Sequence, residues 1–177
     1  VGYLLKKNYQ VLQELSIKEN SMEFIEEMAK RWLAHDGLWF QALEKEFGME
    51  AAIKVDAAVW EKFSAVEAGR IKRFHHISES GGITALKKAL GLRFYAFVNK
   101  QEIIEEDENR IIFRMNDCRV QSARQRKGLP DFPCKSVGLA EYESFARTID
   151  PRIKTRCLAC PPDDHPAEYY CAWEFWI

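Results

Sequence analysis

From Asn20 to Leu90 apolar positions recur at helical spacing, and from Leu92 onward the runs shorten and become β-branched and aromatic. Asn20 and Glu23 have the spacing of a capping box ahead of Phe24, Ile25, Met28, Trp32 and Leu33, which predicts an amphipathic helix ending near His35. Asp36 can cap a second helix carrying Leu38, Trp39, Leu43 and Phe47, with Gly48 as its stop, so the two make a helical hairpin. Ile53, Val55, Val59, Phe63, Val66, Ile71 and Phe74 mark one long helix from about Met49 to His76. Ser80, Gly81 and Gly82 break it, and a short helix from Ile83 to Leu90 follows, closed by Gly91.

The second half predicts strands at 92–98, 101–106 and 110–121, with Asp107, Glu108 and Asn109 turning the chain between the last two. Gly128, Pro130 and Pro133 make 122–133 a loop. Cys134 opens a helix through Leu139, Tyr142, Phe145 and Ile149, stopped by Asp150 and Pro151. Arg152 to Leu158 and Ala167 to Ile177 then flank a Pro-Pro-Asp-Asp-His-Pro turn as a hairpin. The expected class is α+β: N-terminal helices (21–91) packed on a four- to five-stranded antiparallel sheet with one inserted helix (92–177). Residues 21–177 are expected to form a single domain, with 1–20 an N-terminal extension or peripheral helix.

Composition narrows the partners. With 47% apolar and 30% charged residues and a net charge of -1, the chain has no global attraction for nucleic acid or an anionic membrane. Its longest apolar runs fall well short of the roughly 20 residues that span a bilayer, and no stretch reads as a signal peptide. Five cysteines, an odd number, then point to a reducing cytoplasm and free thiols.

Three of those cysteines fall in "RCLACPPDDHPAEYYCAWEFWI" with the spacing C-x2-C-x10-C. If the final turn centres on Asp164, Cys157 and Cys171 oppose each other across a hairpin, close enough to share a metal. Cys160 can curl in from near the turn, and Cys134 and Cys118 can arrive from other elements. Four thiolates suit tetrahedral zinc, or alternatively iron. The favoured ligand set is Cys134, Cys157, Cys160 and Cys171, with Cys118 and His165 in reserve. Two other readings stay open: small buried residues of a core, or a reactive Cys134, activated by the helix N-terminus and Lys135, with His165, His75 or His76 as base.

The loop "CRVQSARQRKGLPDFPCK" gathers Arg119, Arg124, Arg126, Lys127 and Lys135 with Gln121 and Gln125. A solvated basic loop is its plain reading. The binding alternative is a pocket in which Gln121, Arg124 and Arg126 grip a small organic ligand, such as a carboxylate. Trp32, Trp39 and Trp60 read as core, or as walls of a cavity. The aromatic end "WEFWI" admits a subunit interface, hence a homodimer.

The run from Met115 to Phe175 and the stretch "WLAHDGLWF" (Trp32 to Phe40) resemble a family of uncharacterised prokaryotic cytosolic proteins grouped with L-2-amino-thiazoline-4-carboxylic acid hydrolase-like proteins. That resemblance covers about residues 24–177 and implies a hydrolase acting on a small cyclic amide or thiazoline acid, through a metal-bound water or Cys134. A more distant likeness is to the 4-vinyl-reductase domain, a small-molecule-binding module. Pro133, Cys134 and Gly138 match its helix start, Cys160 its second cysteine and Cys171 its third, while Cys157 stands where that family carries an acid. This likeness implies cysteine ligation of a metal that is structural or sensory. The resulting expectation is a cytosolic small-ligand-binding domain with a cysteine-held metal, and the hydrolase is its alternative.

Overall fold

The structure, a computed structural model, describes residues 21–177. The expectations for 1–20, and the Asn20 half of the capping box, lie outside those residues. Ser21–Phe47 is one uninterrupted helix, α1, where a break at Asp36 was expected. Its inward face explains the continuity: Ala29, Leu33, Asp36, Gly37 and Phe40 keep helical spacing, so the packed stripe runs on through Asp36 and Gly37. Aspartate and glycine inside a helix each cost about 1 kcal/mol or less against alanine, and burial of the flanking positions outweighs that. Gly48, at φ 84°, turns the chain into α2, Met49–Phe74.

The buried face of α2 is Ala52, Trp60, Ser64, Ala68 and Ile71, while Val55, Val59, Val66 and Phe74 of the expected stripe face outward. Ala52, Ser64 and Ala68 on the inner face leave room for a neighbouring helix to approach closely, with Trp60 and Ile71 filling the core beside them. Trp32 and Trp60 pack inside, but Trp39 is 63% exposed and does not join the core.

The next helix, α3, is Gly82–Leu90, and it buries Ile83, Leu86, Ala89 and Leu90. Gly82 has a φ of 58° and donates its N–H to Asp150 Oδ2 at 3.0 Å. Asp150, fully buried, also accepts from Arg152 Nη2 at 2.7 Å and Nε at 3.0 Å. These bonds, the Arg152 guanidinium first, hold its carboxyl well below the usual range.

The strand expected at 92–98 does not form; Phe94–Phe97 is a 3-10 helix. Consecutive side chains of a strand point to opposite faces, yet Phe94 and Tyr95 both pack on Trp32, at ring-centroid distances of 5.7 and 5.6 Å. Placing both aromatics against one indole requires the tighter coil.

Four antiparallel strands follow: β1 (Lys100–Asp107), β2 (Arg110–Asp117), β3 (Lys154–Ala159) and β4 (Cys171–Trp176), in the order β1-β2-β4-β3. β2 stops short of the expected 121, because Arg119–Arg126 coils into a helix, α4, within what was read as strand and loop. Its inner positions are the polar Gln121 and Arg124, so apolar periodicity gave no sign of it. Lys135–Ile149 is α5, which lies between the sheet and α2. Tyr142, Phe145 and Ile149 join Ile111, Phe113, Trp173 and Phe175 in the main core. The end read as an interface is therefore largely interior: Trp173 and Phe175 are fully buried.

The last hairpin has a different register from the one expected. Cys157 pairs with Trp173, and Cys171 pairs with Met115 on β2. A bulge between Cys157 and Ala159 shifts the strands again, so Cys157 and Cys171 are not opposed.

Candidate ligand cavity and cysteine cluster

α1, α2, α4, α5 and the sheet line a partly open cavity of about 430 Å³. Leu33, Asp36 and Phe40 of α1, with Asp56 and Trp60 of α2, form one wall, joined by Tyr95. Val137, Gly138, Glu141 and Tyr142 of α5 form another. Met115, Cys118, Cys160, Cys171 and Trp173 come from the sheet and its flanks. The aromatic lining is ordered by mutual packing: Trp60 stacks on Tyr95 at 5.5 Å, and Phe40 meets Phe132 at 4.5 Å.

Gly138 sets the depth of this space. A Cβ there would stand 2.5 Å from Cζ2 of Trp173, whose ring is fully buried. Gly138→Ala is therefore expected to destabilise the fold by about 1–3 kcal/mol through overpacking, despite the roughly 1 kcal/mol gain in helix propensity. Urea unfolding followed by circular dichroism measures this, and an unchanged midpoint would mean that the indole can move aside.

The lining carries the carboxyls of Asp36, Asp56 and Glu141 and, on the α1 and α4 side, the basic groups of Lys30, Arg119, Arg124, Arg126 and Lys127. Burial, then the like charges of Asp36 and Glu141, push Asp56 up to about 7, partly offset by the Trp60 indole. Burial also raises Asp36, and it raises Glu141 against the pull of Arg93. The Arg93 side chain is 2% exposed, with Nε 2.8 Å from Glu67 Oε2 and Nη1 2.7 Å from Glu141 Oε1. Its guanidinium lies 4.7 Å from the Phe145 ring centroid.

The expected carboxylate grip is arranged differently. Arg124 is buried in a two-point pair with Glu44, at 2.6 and 2.9 Å, and donates to the Pro130 carbonyl. Gln121 donates to the Phe132 carbonyl and accepts from its N–H, both at 2.8 Å, which fastens the 127–134 connection to α4. Arg126 is exposed. The fork chemistry of this segment thus builds the cavity wall.

Cys118, Cys134, Cys160 and Cys171 line the cavity, whereas Cys157 stands on the edge strand outside that lining. The sulfurs of Cys134 and Cys160 are 3.6 Å apart. Two thiolates on one tetrahedral metal, with bonds of about 2.3 Å, stand roughly 3.8 Å apart, so this pair has the right spacing. Among the described residues, however, no group of three or more His, Cys, Asp or Glu side chains is gathered to hold a metal. Contact with Cys134 and then Cys171 raises the Cys160 thiol strongly. Burial pushes Cys118 up to about 12 and raises Cys157 against the pull of Lys135. The hydrogen-bond contacts of Cys134 Sγ among the described residues are Gln121 Nε2 and Cys160 Sγ. His165 lies in the β3–β4 connection with Nδ1 on the Pro166 carbonyl, and His75 and His76 follow α2; none of the three lines the cavity.

Sequence reading missed Asp36, Asp56 and Glu141. A signal was present: Asp56 lies midway between Ala52 and Trp60, four residues from each, on the inner face of α2, and Asp36 and Glu141 interrupt inward stripes in the same way. An acid at a core-facing helical position marks a buried polar site.

Among the described residues no helix is long and apolar enough to cross a membrane. No curated protein matches the chain. Among solved structures, the chain is similar to the crystal structure of the phenol-responsive sensory domain of the transcription activator PoxR with phenol, at a TM-score of 0.55 and 18% identity, covering 81% of this chain and 73% of that one. At that identity the likeness speaks for the fold alone. Residues 13–177, nearly the whole sequence, match a profile of its own, and the chain belongs to that family of unknown function (DUF6125).

Proposed function

We propose that this chain is a sensory domain that binds a small aromatic molecule in the cavity between its helices and its sheet. The observation that carries the reading is the cavity itself: about 430 Å³, walled by Trp60, Tyr95, Tyr142 and Trp173. Ligand sites typically measure about 300–1,000 Å³ with mostly apolar walls and a few convergent polar groups. The similar solved domain is named as phenol-responsive, which supports the same reading. Isothermal titration with phenol, 2-phenylethanol and 2-phenylethylamine is expected to give saturable binding of at least one. Val137→Phe, which fills the space, should abolish it. Absence of saturable binding by all three would overturn the proposal.

A zinc, or alternatively an iron, held by cysteines is part of this reading. The spacing of Cys134 and Cys160 supports it, with Cys171 beside Cys160. Cys157 or Cys118 would complete the set. The metal's contribution would be structural, fixing the start of α5 to β4. Elemental analysis of the purified protein is expected to find about one metal per chain, and protein that folds normally with none would remove the metal. The hydrolase alternative has less support, since Arg124 is committed to Glu44 and the Cys134 contacts include no base.

A further inference from the structure

We propose that Tyr142, with Tyr95 beside it, reads the polar group of the ligand: the two hydroxyls donate to an uncharged oxygen carried by an aromatic molecule in the cavity. This inference rests on the ligand-binding reading above and deepens it by naming the ligand's polar group and the residues that meet it.

Tyr142 is 5% exposed and lines the cavity from α5. Its ring is held against Trp173 at 4.8 Å and Phe113 at 5.7 Å, so its hydroxyl has a fixed place. Tyr95 lines the same space from the 3-10 helix, stacked on Trp60 at 5.5 Å and set edge-on to Trp32 at 5.6 Å. The two hydroxyls share one end of the cavity, since the same three groups, Glu141, Cys118 and Arg93, act on both through their charges.

Among the described residues neither hydroxyl has a hydrogen-bond partner, whereas that of Tyr170 donates to Gln125 at 3.1 Å. The indole N–H of Trp173 is unpartnered too, but it is sealed within the wall, and the two tyrosine oxygens are not. A tyrosine hydroxyl inside a protein usually finds a partner, and leaving one unmet is costly. Burial, then the charge of Glu141, raises both phenols well above their ordinary value, so both keep their protons and can donate. The partner these donors lack is an acceptor. A hydrocarbon and an ammonium group offer none. A carboxylate accepts, but it would bring a second charge beside Glu141 and must be stripped of water to enter. A hydroxyl or carbonyl oxygen meets both donors with no charge to bury.

The test pairs each oxygen ligand with its methyl isostere, phenol with toluene and 2-phenylethanol with propylbenzene, titrated calorimetrically into the parent protein, Tyr142→Phe and Tyr95→Phe. Tyr142→Phe is expected to weaken the oxygen ligand about 3- to 10-fold, the worth of one neutral hydrogen bond, and to leave the isostere within about twofold. Tyr95→Phe should act in the same direction, and it carries the comparison where the first variant fails to fold. Equal losses for both members of a pair would mean that the tyrosines only shape the wall, which overturns this inference and leaves the ligand-binding reading standing. Binding of 2-phenylethylamine without either oxygen ligand would do the same. No saturable binding by any of these compounds would overturn both.

Discussion

Replacing Arg93 with methionine is expected to lower the unfolding free energy by about 3–5 kcal/mol, the usual cost of removing one partner from a buried ion pair. The side chain is 2% exposed and ties Glu67 on α2 to Glu141 on α5. Methionine would fill much of the volume over Phe145, yet it would leave two buried carboxylates facing each other. The charge deletion, and not a void, therefore dominates. Chemical denaturation at pH 7 reads the loss. A second variant, Arg93→Met with Glu67→Gln and Glu141→Gln, should recover a large part of it, because removing all the charges together avoids the uncompensated ones. A single variant within about 1 kcal/mol of the parent would show that the two glutamates reach solvent or other donors.

The second large effect is a dependence of stability on pH centred on Asp56. Its carboxyl titrates near 7 in the fold, against an ordinary value of 3.8. The native state therefore holds a proton between those values that the unfolded chain releases. The stabilisation is complete below about 3.8 and is lost as pH rises through 7. A shift of this size corresponds to a loss on the order of 4 kcal/mol between the two limits, less whatever solvent reaching this half-buried group screens. Asp150 acts in the opposite sense. Its carboxyl is held low by Arg152 and Gly82, so it stabilises the fold above its ordinary value of 3.8, and that contribution fades as pH falls. Urea midpoints measured from pH 5 to 8.5 should decline toward the alkaline end in the parent and stay nearly level in Asp56→Asn. Parallel profiles would mean that Asp56 ionises without penalty.

Much of the architecture could be read from the chain, for a physical reason. α2, α3 and α5 and the β1–β2 hairpin are bounded by glycine, proline or turn residues and carry periodic apolar faces, so local signals and tertiary packing agree there. The α+β class followed from them. Elsewhere the two diverged. The Asp36–Gly37 pair looks like a helix boundary, but the partner helix imposes continuity on it. Leu92 to Val98 has strand composition, but Trp32 offers a better surface to Phe94 and Tyr95 than any strand does. α4 buries polar side chains, so hydrophobic periodicity carries no trace of it. For the candidate site, the sequence named Cys134, Cys160 and Cys171, which line the cavity, and Gln121 and Arg124, whose polar groups are taken up by Phe132 and Glu44, while Asp36, Asp56 and Glu141 emerged only once three helices from distant parts of the chain were brought together. Cys157 fell outside the lining because a hairpin's register depends on its turn and bulge, which spacing alone does not specify.

β4 lies between β2 and β3, although it follows both in sequence. Until Cys171–Trp176 is synthesised and inserted, β2 and β3 have no common neighbour, and each presents an open edge. Their closure is a long-range event that forfeits chain entropy before Trp173 and Phe175 reach the core, the kind of step that slows folding. A chain that stalls there exposes pairing groups and apolar surface together, a combination prone to joining other chains. The strand that completes the sheet thus acts as a keystone: nascent or truncated protein lacking it should depend on chaperones in a way that the finished fold does not.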